Sequence, residues 1–175
     1  FNRALGNING GGIYCGGSST NLVLERCIIS NNTAEAGGGL FANSPAYVRL
    51  TNCTIADNSL SNPRMSIGGG IHSDGSNIAI RNSIVWYNDG AAVVLNNPAS
   101  SSPVLYSNIQ GYYPGQGNID TNPLFASPSG NDYHLRSGFN SGKITDLSNH
   151  SPCIDAGDPQ DPVGSEPFPN GNRIN

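Results

Sequence analysis

The sequence predicts an all-β solenoid, a right-handed parallel β-helix with about three short strands per coil and an irregular C-terminal region. Three observations carry this expectation. Gly-Gly-Gly occurs at 10–12, 37–39 and 68–70, each time followed by an apolar residue, Ile13, Leu40 or Ile71. A second marker keeps the same beat: the segments starting at Asn21, Tyr47 and Asn77 align as NLVLERCII, YVRLTNCTI and NIAIRNSIV. Within each segment apolar and polar residues alternate, the two-residue period of a strand with one buried face. The markers recur at offsets of 27 and 31 residues for the triplets and 26 and 30 for the segments. Two independent markers on nearly one period define a repeat.

The elements of one unit follow in order. A strand after the triplet is anchored by Ile13, Leu40 and Ile71. The next strand turns Leu22 and Leu24, Leu50, and Ile78 and Ile80 inward. A one-residue slip then separates Leu24 from Cys27, which reads as a bend at Arg26, Asn52 and Asn82. A third strand carries Cys27 and Ile29, Cys53 and Ile55, and Val85 inward. A second bend holds Asn32, Asn58 and Asn88. No Asn-Gly type turn joins strands within a unit, so hairpins are not the natural solution. Coiling is. Each turn lays its strands in parallel on those of the previous turn, about 4.8 Å apart, with the right hand usual for parallel crossovers. Equivalent residues then stack, Leu24 on Leu50 on Ile80 inside and Asn32 on Asn58 on Asn88 at a corner. Stacked Asn amides hydrogen-bond along the axis, and Asn tolerates the left-handed backbone of a corner. The glycine triplets supply positive φ or a bend too tight for a side chain. Past Ala91 the beat loosens, and Val104–Ile109 reads as one more rung. Regular coils are expected over residues 1–110, and irregular coils or a cap of the same domain over 111–175.

Composition excludes several classes. Only 11% of residues are charged and the net charge is −4, unlike a helical bundle or a basic nucleic-acid binder. The longest apolar run, Ala91–Leu95, is far short of the roughly 18 residues of a membrane span. Four cysteines are too few for a disulfide scaffold. The chain opens at Phe1-Asn2-Arg3 without a basic and apolar leader, so it reads as processed or as an excerpt. Unpaired strand edges at a solenoid end predict end-to-end stacking into a fibre.

The units "GGGIY", "NCTIADN" and "GGGIH" resemble the repeats of bacterial right-handed parallel β-helix proteins, including those of polymorphic outer-membrane-protein type. The stretches Tyr106–Gly111, Gly117–Asp120, Asn122–Phe125, Asp132–Leu135 and Ser151–Asp158 resemble the C-terminal region of secreted proteins with a choice-of-anchor Q domain. The resemblance implies a secreted or cell-surface location. It carries over no catalytic residue. In such proteins "YHLRSG" runs straight into "SPCIDAGD", whereas here 139–150 intervene and are expected to project as a loop.

Candidate chemistry is sparse. Outward columns of the regular coils hold Val23, Arg49 and Ala79, and Glu25, Thr51 and Arg81; neither stacks the paired carboxylates of a hydrolase, and a solvated polar face is the expected role. Asp155, Asp158 and Asp161 place three carboxylates in seven residues. They are the Ca²⁺ candidate, against ordinary turn chemistry before Gly and Pro, and no other cofactor is expected. Tyr14, Phe41 and His72 share one column and are expected to form an outward row of flat rings, a stacking surface for sugars or a purely structural stack. Cys27 and Cys53 occupy equivalent inward positions, expected as free thiols with a disulfide as the alternative. Sequons at Asn31 and Asn149 are glycosylation candidates, whereas the one at Asn52 falls on a bend. Ser100–Ser102 could carry sugar on hydroxyls. The expected function is a non-enzymatic secreted or cell-surface solenoid, structural or adhesin-like. The alternative is a carbohydrate-active β-helix module, a polysaccharide lyase, hydrolase or glycan binder. Expected partners are further copies stacked end to end and extracellular glycans, with no nucleic acid and no membrane span.

Overall fold

The computed structural model of the chain describes residues 2, 8–17, 20–62, 67–96, 103–140, 143–144, 146–163 and 173. The first coil contributes β1 (Ile13–Cys15), β2 (Asn21–Glu25), β3 (Ile28–Ser30) and a short β4 (Thr33–Ala34). The second contributes β5 (Leu40–Asn43), β6 (Tyr47–Thr51), β7 (Thr54–Ala56) and β8 (Ser59–Leu60). The third holds β9 (Ile71–Asp74), β10 (Asn77–Arg81) and β11 (Ile84–Trp86), and the fourth β12 (Val93–Asn96), β13 (Val104–Leu105) and β14 (Asn108–Ile109). All of these strands pair in parallel with their counterparts one coil away. They build three four-stranded faces, β1-β5-β9-β12, β2-β6-β10-β13 and β3-β7-β11-β14, and a two-stranded fourth, β4-β8. The fold is a right-handed parallel β-helix, as the repeat period predicts.

The register explains why the sequence alternates. Leu24 pairs with Leu50, Leu50 with Ile80 and Ile80 with Val104. Ile13, Leu40, Ile71 and Val93 form a second inward column, and Ile29, Ile55, Val85 and Ile109 a third. These residues make one continuous core, and each large side chain removed from water contributes about 1.5–3 kcal/mol. Leu40, Val48, Leu50, Ile71, Ile78 and Ile80 are completely buried. In the first coil, Ile13, Leu22 and Leu24 are only partly covered.

The corners correct one detail. The repeat puts the second bend at Asn32, Asn58 and Asn88, but the left-handed residue is the one before each: Asn31 (φ 58°), Asp57 (53°) and Tyr87 (59°). The stacking Asn follows the turn and faces inward, because its amide is needed inside, not at the sharp bend. The first bend is left-handed at Arg26 (53°), Asn52 (54°), Asn82 (50°) and Tyr106 (49°). The glycine triplets also work differently from a simple bend. Only Gly10 and Gly37 have positive φ. A Cβ on Gly39 would sit 2.6 Å from the Gly70 carbonyl oxygen and 3.0 Å from Asn58 Nδ2. Close approach of the next coil, not backbone conformation, makes that position glycine.

Beyond the fourth coil the chain runs parallel for a few residues more. Ile109 N donates to Ile119 O at 2.9 Å and Ile119 N to Ser107 O at 3.0 Å, while Tyr113 packs on the core. The chain then leaves the spiral. The antiparallel pair β15 (Phe125–Ser127) and β16 (Asp132–Leu135) folds back over the outer side of the solenoid. Its Phe125 and Tyr133 bury against the outward-facing Ala56 and Trp86, with which they form a second apolar cluster. Within the intervening segment 139–150, a small antiparallel ribbon forms from β17 (Phe139–Asn140) and β18 (Lys143–Ile144), and Leu147 beyond it is exposed.

Candidate functional site

Two networks bind coil to coil, and a third fastens the C-terminal region to them. At the second corner Asn32 Nδ2 donates to Asn58 Oδ1 at 3.0 Å, and Asn58 Nδ2 to Asn88 Oδ1 at 2.9 Å. The same oxygens accept the backbone N–H of the Asn one coil earlier, Asn32 N and Asn58 N, each at 3.0 Å. The amides of Asn58 and Asn88 also reach the carbonyls of Ile29 and Ile55, both at 2.9 Å. The row starts earlier than the sequence alignment showed, because Asn2 N donates to Asn32 Oδ1 at 3.1 Å and Thr33 N to Asn2 O at 3.0 Å. Asn2 precedes the first recognisable repeat, so no second marker identified it.

The first corner has its own ladder, which the sequence reading missed. Ser83 Oγ donates to Arg81 O at 2.8 Å and accepts from Cys53 N at 3.1 Å. Ser107 Oγ donates to Leu105 O at 2.9 Å and accepts from Ser83 N at 3.2 Å. Asn118 Oδ1 extends the row by accepting Ser107 N at 3.0 Å. Cys27 and Cys53 hold the first two positions, with sulfurs 3.3 Å from the Glu25 and Thr51 carbonyls. The available signal was a small residue after each left-handed position.

The third network ties the C-terminal region to the coils and engages two of the three residues of the Ca²⁺ candidate. Arg81 Nη2 donates to Asp158 Oδ2 at 2.7 Å, and Arg81 Nε and Nη2 each donate to Asp161 at 2.8 Å. Asn82 adds Nδ2 to Asp161 Oδ2 at 2.7 Å and accepts Asp158 N at 2.8 Å. The Asp161 carboxylate, with Asp158 behind it, raises the Arg81 pKa above its ordinary value. Two of the three proposed Ca²⁺ ligands therefore face a guanidinium, and no group able to hold a metal forms among the described residues. Asp155 stands at a left-handed turn (φ 56°) of the same segment. Arg81 itself is not the solvated outward residue the repeat suggested; it is an anchor. Arg173 fastens the same segment by donating to the carbonyls of Ala156 and Gly157.

The aromatic column is stacked but mostly closed. Tyr14 and Phe41 lie 5.7 Å apart at 11°, and Phe41 and His72 5.2 Å apart at 5°. Tyr14 is 57% exposed, but Phe41 is 5% and His72 6% exposed. The row therefore offers no open strip of rings to a sugar, because only its first member reaches solvent. Burial pushes the His72 pKa below its ordinary value. The Asn31 sequon is likewise engaged: Nδ2 donates to Asn131 Oδ1 at 2.8 Å and to the Tyr133 hydroxyl at 3.0 Å. Tyr133 in turn donates to Asp57 Oδ2 at 2.8 Å. A glycan on Asn31 would displace that contact. Asn149 is exposed. Ser100–Ser102 lie outside the described residues.

One concavity on the described surface combines charge with an apolar floor. It occupies the outer face of β6, β10 and β13, measures about 230 Å³, and is lined by Tyr47, Arg49, Thr51, Ala79, Arg81 and Leu105. Arg81 is committed to the aspartates. Arg49 is exposed and has no ion-pair partner among the described residues. The groove can hold a ligand with an acidic group and a flat apolar face.

The family model described as "Right handed beta helix region" matches residues 2–112, and the chain belongs to that family. Searches of curated proteins and of solved structures found no match.

Proposed function

We propose that this right-handed β-helix protein is a non-enzymatic secreted or cell-surface module, structural or adhesin-like. What supports the reading most is the use of its polar side chains. Asn32, Asn58 and Asn88 bond from coil to coil, Ser83 and Ser107 each accept a backbone N–H from the coil before, and Arg81 holds Asp158 and Asp161 of the C-terminal segment. Polar groups spent on holding the molecule together are what a spacer or adhesive rod requires. The similarity of the repeats to polymorphic outer-membrane-protein units, and of the tail to choice-of-anchor Q regions, supports a surface location. No helix among the described residues is long and apolar enough to cross a membrane. Surface labelling of intact source cells tests the location: the chain is labelled without lysis, and labelling only after lysis would overturn it.

A second reading, a glycan-binding or carbohydrate-active module, is favoured by the groove beside Arg49. A panel of acidic and neutral polysaccharides separates the two. Retention without release of shorter products fits an adhesin. Product release that disappears in Arg49→Ala would establish an enzyme.

A further inference from the structure

We infer that Cys27 and Cys53 are an oxidisable pair whose disulfide joins the first coil to the second. The inference stands apart from the proposed function. Glu25 pairs with Thr51, and Ile28 with Thr54, so the two cysteines are direct neighbours on adjacent rungs. Thr54 N donates to Cys27 O at 2.9 Å, which holds the rungs together at that point. Parallel neighbours lie about 4.8 Å apart, inside the roughly 4.4–6.8 Å window of Cα separations that disulfides span. Both cysteines follow a left-handed residue, Arg26 or Asn52, so their side chains leave the backbone in the same sense. The Cys53 sulfur leans toward the first coil, lying 3.4 Å from Leu24 O as well as 3.3 Å from Thr51 O. The Cys27 sulfur rests on the adjacent carbonyl, Glu25 O, at 3.3 Å. The two sulfurs thus sit on consecutive peptide groups of one strand.

The ladder shows what the bond would add. Ser83 and Ser107 each accept a backbone N–H from the coil before. Sulfur is a weak acceptor, so the coil-to-coil link of this row is poorest between Cys27 and Cys53. A disulfide replaces the missing hydrogen bond with a covalent one. Cys15 lacks such a neighbour, since it pairs with Ala42, and Cys153 is buried against Asn108.

The reaction needs a small-molecule disulfide as oxidant. Cys27 is the half-buried member and reacts first; Cys53 is buried, and burial raises its pKa. The Cys27 thiolate attacks one sulfur of the oxidant, forming a mixed disulfide and expelling one small thiolate. The Cys53 thiolate then attacks the Cys27 sulfur, breaks the mixed bond and expels the second. Two protons and two electrons leave the protein and reduce the oxidant to two thiols.

The test is a peptide map of the purified full chain, incubated in a series of oxidised-to-reduced glutathione ratios and then alkylated. Trypsin cleaves after Arg26, Arg49 and Arg64 and so puts the two cysteines on separate peptides. The expected product is peptide 27–49 linked to 50–64, with Cys15 and Cys153 still alkylated. Hydrogen exchange over 21–30 should slow at least threefold in the linked form. Four alkylated thiols at the most oxidising ratio would overturn the inference, as would a bond made by Cys15 or Cys153. Cys53→Ser, which installs the residue the next rung already uses, should remain folded and end at Cys27 as a stable mixed disulfide.

Discussion

At the residue scale, Asn58 is the most connected polar side chain among the described residues. It accepts two hydrogen bonds from Asn32 and donates to Ile29, Ala56 and Asn88. Asn58→Ala leaves the buried Asn32 N–H without its acceptor and removes the donor to Ile29 O and Asn88 Oδ1, and a buried polar group left unpaired costs about 1–3 kcal/mol. We expect a loss of about 3 kcal/mol in denaturant unfolding; a loss under about 1 kcal/mol would show that the ladder is ornament. Glycines supply a sharper contrast. Gly39→Ala presses a Cβ into the next coil's backbone, whereas Gly111 has positive φ (83°) but open space around it. Gly111→Ala should cost about 1–2 kcal/mol for its left-handed backbone, and Gly39→Ala clearly more. His72 makes stability depend on pH. Its folded pKa lies below the ordinary 6.5, with burial the larger cause and Asp74 opposing it. The unfolded chain takes up a proton as pH falls through 6.5, while the folded chain resists. Stability should therefore be level above about pH 7.5 and decline as pH drops through 6.5. His72→Phe, which continues the Tyr14–Phe41 stack, should flatten that decline in thermal melts between pH 7.5 and 5.5. An unchanged slope would assign it to other groups.

At the element scale, the strands and corners were legible because a repeat states each of them three times. Leu24, Leu50 and Ile80 name one inward column more surely than any single strand could. What was not legible came from outside the repeat. Arg81 occupies the position of Glu25 and Thr51, and its period says only that it points outward. Its partners Asp158 and Asp161 lie 77 and 80 residues later in a stretch with no repeat to place it. The burial of Phe41 and His72 was hidden for the same reason: a column position fixes stacking but not what covers the column. The strap that results is testable. Arg81 is 37% exposed as a side chain, so solvent reduces its contribution to about 1–2 kcal/mol. Arg81→Met should leave the coils intact and speed amide exchange over 158–163 about tenfold, the equivalent of about 1.4 kcal/mol. The β15–β16 pair, held separately through Tyr133, Asp57 and Asn31, should be unaffected. Loss of protection throughout the solenoid would mean that the strap and the coils unfold as one unit.

At the scale of the whole molecule, the first and last described coils are covered differently, and the difference bears on how copies could meet. A filament needs an open edge at each end. At the C-terminal end Val104 and Ile109 are buried, and 111–121 lie across the last rungs of two faces, with Tyr113 on the core. At the other end, among the described residues, β1, β2 and β3 are outermost in their sheets. Ile13, Leu22 and Leu24 are partly uncovered there, and Val23 and Ile28 are 49% and 63% exposed. Among the described residues β4 has a neighbour on that side, through Thr33 N to Asn2 O and Glu35 N to Ile8 O. Among the described residues this edge predicts pairing of two copies, as an alternative to the end-to-end stacking expected from the repeat. In that arrangement two copies meet first coil to first coil about a two-fold axis, and their edge strands pair antiparallel. Sedimentation should show a monomer passing to a dimer as concentration rises, with no larger species. Val23→Lys places a charge on the edge strand without touching the core and should return the dimer to monomer, as charged edges do in natural sheets. Filaments in electron micrographs would restore head-to-tail stacking, and a monomer at every concentration would show that the edge does not recognise its own copy.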